Sequence, residues 1–190
     1  TLIEKGFVPL NKSWIIRMGV LDIIHGRSDV ISFLQNQKNL SDDLQALLGA
    51  TRAWNTNQST DVGESGTLYR FLQFVSWKQH LGKQFIRRGT LATRDICSDP
   101  AIIDWPLEKL LELDHGTSQW ASAAVLCGND EKIENPPYKL RVTYETREHW
   151  RQRRSADQNW APRYDETILR QAEAFLRLNP FIDIACHGEG

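Results

Sequence analysis

One stretch constrains this chain more than any other, a turn punctuated by glycines that leads directly into an apolar helix. Residues 61–70 read DVGESGTLYR. Gly63 and Gly66 permit close approach to the backbone, Thr67 is suited to cap the helix, and the helix dipole favours an anion there. Arg70 follows one turn later, where its guanidinium can hold a phosphate or a carboxylate. The stretch predicts an anion site, although similar capped turns are common where nothing binds.

A second group of this kind stands near the start of the sequence. Ser13 is suited to cap an apolar helix over residues 14–24, and Arg17 lies four positions later on the same helix face. Lys12 is adjacent, so a hydroxyl and two cations converge where the dipole already favours negative charge. The alternative interpretation is a solvated basic helix end.

A third polar group precedes a short helix predicted over residues 120–126. Thr117, Ser118 and Gln119 place two hydroxyls and an amide at its start, which indicates either an anion site or plain helix capping. The sequence Ser-Asp-Asp at 41–43 starts another helix, where acidic residues oppose the dipole.

Composition limits the class of protein. Basic and acidic residues number 23 and 24, so bulk charge indicates no nucleic-acid partner. No apolar run approaches the roughly 20 residues of a membrane span. Three widely separated cysteines indicate free thiols, and we therefore expect a cytoplasmic protein. No histidine or cysteine spacing predicts a metal site, and no dinucleotide or phosphate-loop motif predicts a cofactor.

The hydrophobic periodicity predicts a mixture of helices and strands, hence an α/β class. Strands are expected at 29–34, 84–87, 138–144 and 181–185, because apolar and β-branched residues dominate or alternate there. Helices are expected between them, the last over 165–178 with one apolar stripe.

The polar segments, taken together, resemble a known family. Lys-Ser-x-x-x-Arg at 12–17, Ser-Asp-Asp at 41–43, Gly-Thr-x-x-Arg at 66–70 and Thr-Ser-Gln at 117–119 follow the order and approximate spacing of the enolpyruvyl transferases, closest to the shikimate-pathway branch. The resemblance covers residues 8–126, whereas residues 127–190 diverge. We therefore expect one enolpyruvyl-transferase-like domain over 1–190, part of a longer chain.

The resemblance implies a fold and a reaction. The family fold repeats βαβαββ units whose helices pack inside a shell of sheet, and two such domains close on the substrates. The reaction transfers the enolpyruvyl group of phosphoenolpyruvate to shikimate 3-phosphate, without a metal or cofactor. The implied partner is a second enolpyruvyl-transferase domain, on the same or another chain.

The resemblance also implies roles for individual residues. Lys12 would contact phosphoenolpyruvate and take part in catalysis. The other residues implied to bind phosphoenolpyruvate are Gly66, Thr67 and Arg70. The residues implied to bind shikimate 3-phosphate are Ser13 and Arg17, with Thr117 and Ser118 at its phosphate and Gln119 at its ring.

Two departures from the family pattern affect the expected chemistry. Trp105 stands where the family has an arginine that clamps phosphoenolpyruvate. Asp165 is displaced by two positions from the aspartate that serves as the family's base, so it is either a weak catalytic candidate or the N-cap of the last helix.

Two other functions remain open from the sequence. Trp105 stands where the family has an arginine, and the lack of that cation favours a non-catalytic anion-binding module. Cys97 invites comparison with the branch of the family that uses a loop cysteine and a nucleotide-sugar acceptor. Alkylation of Cys97 distinguishes that branch from the shikimate branch.

Overall fold

The computed structural model describes residues 10–156 and 163–178, and these residues are mostly helical. The helices are α1 (Lys12–His25), α2 (Asp29–Gln35), α3 (Asp42–Ala53), α4 (Gly66–Lys78), α5 (Gly89–Thr93), α6 (Leu107–Asp114), α7 (Gln119–Leu126), α8 (Tyr138–Ala156) and α9 (Glu166–Leu178), with a short 3-10 helix at Pro100–Asp104. Strands β1 (Thr60–Asp61) and β2 (Phe85–Ile86) form one parallel pair.

The expected α/β fold of repeated βαβαββ units inside a sheet shell is wrong. The only sheet within the described residues has two strands of two residues each. The strand expected at 84–87 is confirmed as β2, but residues 29–34 lie in α2 and residues 138–144 open α8. The strand expected at 181–185 lies outside the described residues.

Helical burial explains both of the wrong strand predictions. On α2, the buried residues Val30 and Leu34 are four positions apart. Residues with this spacing lie on one face of a helix and also on one face of a strand, so the spacing does not distinguish the two. On α8 the buried residues are Leu140, Thr143, Thr146, Arg147 and Trp150, spaced by one, three or four residues. Helical spacing over so long a segment outweighs the β propensity of its aromatic and β-branched members.

Helix α1 is the centre of the core. Ten consecutive residues, Trp14 to Ile23, are buried, because α2, α3, α4, α7 and α8 all pack against it. Gly19 permits the approach of α3, since a Cβ atom there would lie 2.8 Å from Leu47 Cδ2. The N-terminal turn of α1 is thereby held between α3 and α8.

Two helix caps differ from the sequence prediction. Asn11, rather than Ser13, caps α1 by accepting a hydrogen bond from the Trp14 amide at 3.1 Å. Ser65, rather than Thr67, caps α4 by accepting one from the Leu68 amide at 3.2 Å. Each helix therefore starts earlier than predicted, and the hydroxyls of Ser13 and Thr67 are available for other contacts.

Helix α9 lies apart from this core. None of its residues is buried, so the helix is confirmed but its predicted apolar stripe is not covered by the described residues. An antiparallel bridge between Leu10 and Tyr164 joins the segment before α9 to the start of α1. Within the described residues, no helix combines the length and the apolar character that crossing a bilayer requires.

Candidate functional site

The start of α4 and the start of α7 meet at one hydrogen-bonded group, here called the Arg70 cluster: Gly66, Thr67, Arg70, Arg94 and Gln119. Arg70 Nη1 donates to Gln119 Oε1 at 2.5 Å, and Gln119 Nε2 donates to Thr67 Oγ1 at 2.8 Å. The two bonds use opposite ends of the Gln119 amide and fix its orientation. Residues 49 and 52 positions apart in sequence are thus joined directly.

Gly66 lies beneath two guanidinium groups of this cluster. A Cβ atom at Gly66 would lie 2.9 Å from Arg70 Nη1 and 3.2 Å from Arg94 Nη1, so a larger residue would displace one of them. Burial, and secondarily the charge of Arg94, lowers the pKa of Arg70, while Asp114 opposes this shift. Two cations held this close indicate an anion site, because an oxyanion between them would relieve their repulsion.

A polar pocket of about 720 Å³ is lined in part by Gly63 and Glu64 of the same turn. Its lining, here called the Lys12 pocket, consists of Lys12, Ser41, Asp42, Asp43, Gly63, Glu64, Arg88 and Gly89. Two cations and three carboxylates make it suitable for a charged, hydroxylated metabolite rather than an apolar ligand. In the described part of the chain, no group of three or more histidine, cysteine, aspartate or glutamate residues could hold a metal ion.

The charges of the Lys12 pocket are already paired in part. Lys12 Nζ lies 3.4 Å from Asp43 Oδ2, and both side chains are substantially exposed. Arg88 Nη2 lies 2.7 Å from Asp61 Oδ2, and this contact lowers the pKa of Asp61. Exposed pairs of this kind are weak, so a charged ligand can replace either of them at small cost.

Glu64 is fixed at the wall of the pocket by a glycine. Its Oε1 accepts a hydrogen bond from the Thr90 amide at 3.3 Å, and a Cβ atom at Gly89 would lie 1.3 Å from that oxygen. Gly89 also has a positive φ of 54°. Only glycine fits this position with Glu64 where it is.

Ser13 and Arg17 contact α8 instead of the Arg70 cluster. Arg17 is 2% exposed, and its Nε donates to Thr143 Oγ1 at 2.7 Å. Ser13 Oγ accepts from Lys139 Nζ at 2.5 Å, and Arg17 Nη2 donates to the Lys139 carbonyl at 3.4 Å. Burial lowers the pKa of Arg17 to about 10.

Thr117 and Ser118 lie where the sequence placed them, at the start of α7, but an internal anion occupies that helix end. Asp114 accepts from the amides of Trp120 and Ala121 at 2.7 and 3.0 Å. Thr117 Oγ1 donates to the Asp114 carbonyl, and the buried Ser118 Oγ has no partner in the part of the chain that is described. A phosphate at this helix end would have to compete with Asp114.

Asp165 and Trp105 each have a contact within the described residues. Asp165 caps α9 by accepting a hydrogen bond from the Ile168 amide at 3.0 Å. Lys109 Nζ lies 3.8 Å from the ring centroid of Trp105, so a cation is present beside this ring.

Sequence reasoning missed three residues that shape these sites. Nothing in the sequence context of Arg94 distinguished it from the other arginines. Lys139 was hidden in a segment interpreted as a strand. Asp114 gave the only usable signal, because an acidic residue shortly before a helix can cap it.

No family model matches the chain, and comparisons with curated proteins and with solved structures find no match.

Proposed function

We propose that this chain binds shikimate 3-phosphate and phosphoenolpyruvate and serves enolpyruvyl transfer between them, in the cytoplasm and together with a second domain. The proposal rests on one observation. Four segments that carry the family resemblance meet around the turn from Gly63 to Gly66. They lie around residues 12, 43, 64–70 and 119. Because similar chemistry occurs on different folds, the proposal depends on these side chains and not on a sheet shell.

The chemistry of the two sites suits two anionic substrates. The Arg70 cluster offers paired guanidiniums to the carboxylate or phosphate of phosphoenolpyruvate. The Lys12 pocket offers carboxylates to hydroxyl groups and an ammonium to a second anion. The shared turn keeps the two ligands adjacent, which is the main requirement for a reaction between them.

In the proposed reaction the acceptor hydroxyl adds to the enol carbon of phosphoenolpyruvate as the methylene carbon takes up a proton. The resulting tetrahedral intermediate then loses a methyl proton and expels inorganic phosphate, which restores the double bond. Lys12 is the candidate acid/base group on this chain, and the remaining groups belong to the second domain. Asp165 is the weaker candidate, since it already serves as a cap.

A non-catalytic anion-binding module is the second candidate. It is favoured by Trp105, which removes one cation of the clamp, and by the pairing of Lys12 with Asp43. This candidate predicts that the same anions bind but that phosphoenolpyruvate is never cleaved.

Calorimetric titration with shikimate 3-phosphate tests the proposal. Saturable binding should be weakened about tenfold by Lys12→Met, which removes one charge-assisted contact. Lys38→Met is the matched control, because Lys38 is exposed between α2 and α3 and does not line the pocket. Absence of binding at millimolar ligand, with the helical circular dichroism intact, would overturn the proposal.

Release of inorganic phosphate separates the two candidates. The transferase predicts phosphate release from phosphoenolpyruvate only when shikimate 3-phosphate and the second domain are both present. Binding without any release under those conditions would favour the anion-binding module.

A further inference from the structure

Three basic side chains converge at the start of α1, here called the α1 cation cluster: Lys12, Arg17 and Lys139. Lys139 is the second residue of α8 and reaches Ser13 Oγ across 126 positions of sequence. Arg17 lies beneath, with its guanidinium donating to the carbonyls of Ser13 and Lys139 and to Thr143. Two helices thus bring positive charge to one place.

Among the described residues, Lys12 has an acidic partner in Asp43, at 3.4 Å from its Nζ, whereas Arg17 and Lys139 have none. The hydrogen-bond partners of Arg17 and Lys139 are neutral oxygens. Arg17 is buried nonetheless. Its guanidinium carbon lies 5.2 Å from the centroid of the Phe71 ring, and its other partners are neutral oxygens, so an anion supplied by a ligand would stabilise this buried cation further.

The hydrogen bonds leave donors available for such a ligand. Lysine has only donors, so Ser13 Oγ is the acceptor from Lys139, and among the described residues its own O–H has no acceptor. Lys139 uses one N–H in that bond and keeps two. Lys139 is exposed, so its ammonium can contact a bound oxyanion while Arg17 adds charge from below.

We propose that Lys139 is a ligand-binding residue that, with Ser13 and Lys12, holds an oxyanion of the acceptor substrate above Arg17. The inference rests on the proposed function for the identity of the acceptor and adds a residue from outside the segment that resembles the family. Burial, and then the charges of Arg17 and Lys12, lower the pKa of Lys139, as expected for a partly buried cation that lies close to two others.

The test compares the affinity of the wild-type chain and its variants for shikimate 3-phosphate and for shikimate. Lys139→Met should weaken shikimate 3-phosphate about tenfold, and Lys139→Arg should retain most of the affinity, because it keeps the charge. Lys132→Met is the matched control: Lys132 is also exposed but lies against Tyr144, and its loss should leave affinity unchanged. Thermal unfolding establishes that each variant is folded.

The second ligand identifies which oxyanion Lys139 contacts. If Lys139→Met weakens the binding of shikimate 3-phosphate and of shikimate equally, Lys139 contacts the carboxylate. If it weakens only the binding of shikimate 3-phosphate, Lys139 contacts the phosphate. Both results support the inference. Equal affinity of the wild type and Lys139→Met for shikimate 3-phosphate would overturn it and leave the proposed function standing.

Failure of the proposed function gives a different pattern. If the wild type does not bind shikimate 3-phosphate, inorganic phosphate is titrated instead. If Lys139→Met weakens the binding of phosphate, the oxyanion site at Lys139 is supported, but shikimate 3-phosphate is not its ligand. Phosphate binding that is absent, or unaffected by the substitution, would overturn the inference as well.

Discussion

Asp114 Oδ1 accepts a hydrogen bond of 2.7 Å from the backbone amide of Trp120, across the connection between α6 and α7. The other carboxylate oxygen accepts from the Ala121 amide at 3.0 Å. The chain thus supplies its own anion to the end of α7, where two hydroxyls had predicted a bound phosphate. The remaining candidate binding sites lie at the starts of α1 and α4.

Asp114 should make stability depend on pH. Burial raises its pKa above 3.8, although the amides and Arg70 oppose the shift. Between pH 3.8 and the folded-state pKa, the folded chain holds more protons than the unfolded chain. The free energy of unfolding should therefore fall as pH rises through this interval.

Urea unfolding of the wild type and Asp114→Asn over the acid range measures this dependence. The stability of the wild type relative to the variant should be greatest below pH 3.8 and decline above it. A difference that does not change with pH would show that the carboxyl titrates alike in both states.

Gly89→Ala should destabilise the chain more than Gly82→Ala. Both glycines have positive φ, 54° and 62°, so each substitution carries a backbone cost of about 1–2 kcal/mol. At Gly82 nothing lies within 4 Å of the new Cβ, whereas at Gly89 it meets Glu64 Oε1 at 1.3 Å. Thermal unfolding compares the two, and Glu64→Ala should remove the excess cost. Equal costs at both glycines would contradict the placement of Glu64.

Arg70→Lys should weaken phosphoenolpyruvate binding. The planar guanidinium contacts Gln119 and lies beside Arg94, a geometry that an ammonium does not reproduce. Loss of a charge-assisted bond predicts about 1.5–3 kcal/mol, roughly a ten- to hundredfold change in affinity. Arg52→Lys, on the exposed surface of α3, is the control in the same titration. An unchanged affinity would remove Arg70 from the site.

Alkylation at neutral pH should distinguish the cysteines. Burial raises the pKa of Cys127 to about 12, so its thiol is almost entirely protonated and should resist iodoacetamide. Cys97 and Cys127 are both half-buried, and Cys97 should react before Cys127, as peptide mass mapping would show. Modified Cys97 with full enolpyruvyl transfer would argue against the cysteine-assisted, nucleotide-sugar branch, and loss of transfer would support it.

The sequence predicted helices α1, α4 and α7 and the polar residues at their starts, because apolar periodicity and glycine turns are local signals. It did not predict which groups those residues contact. Ser13 bonds to Lys139 and Arg70 to Gln119, and both partners come from distant segments. Such pairing depends on tertiary packing.

The fold class failed for a related reason. Short apolar segments such as 29–34 and 138–144 carry both a strand-like and a helical pattern. Packing against α1 decided the second case, since Leu140, Thr143, Arg147 and Trp150 are buried along one side of α8. Tertiary burial overrode local propensity.

A two-dimensional amide NMR titration of the wild-type chain with shikimate 3-phosphate tests most directly whether the distant segments form one ligand site. The account predicts that the backbone amides of Gly63 and Gly66 and the side-chain amide of Gln119 shift together along a single binding curve. Resonances that stay unchanged at millimolar ligand, or shifts confined to segments such as α9, would contradict it.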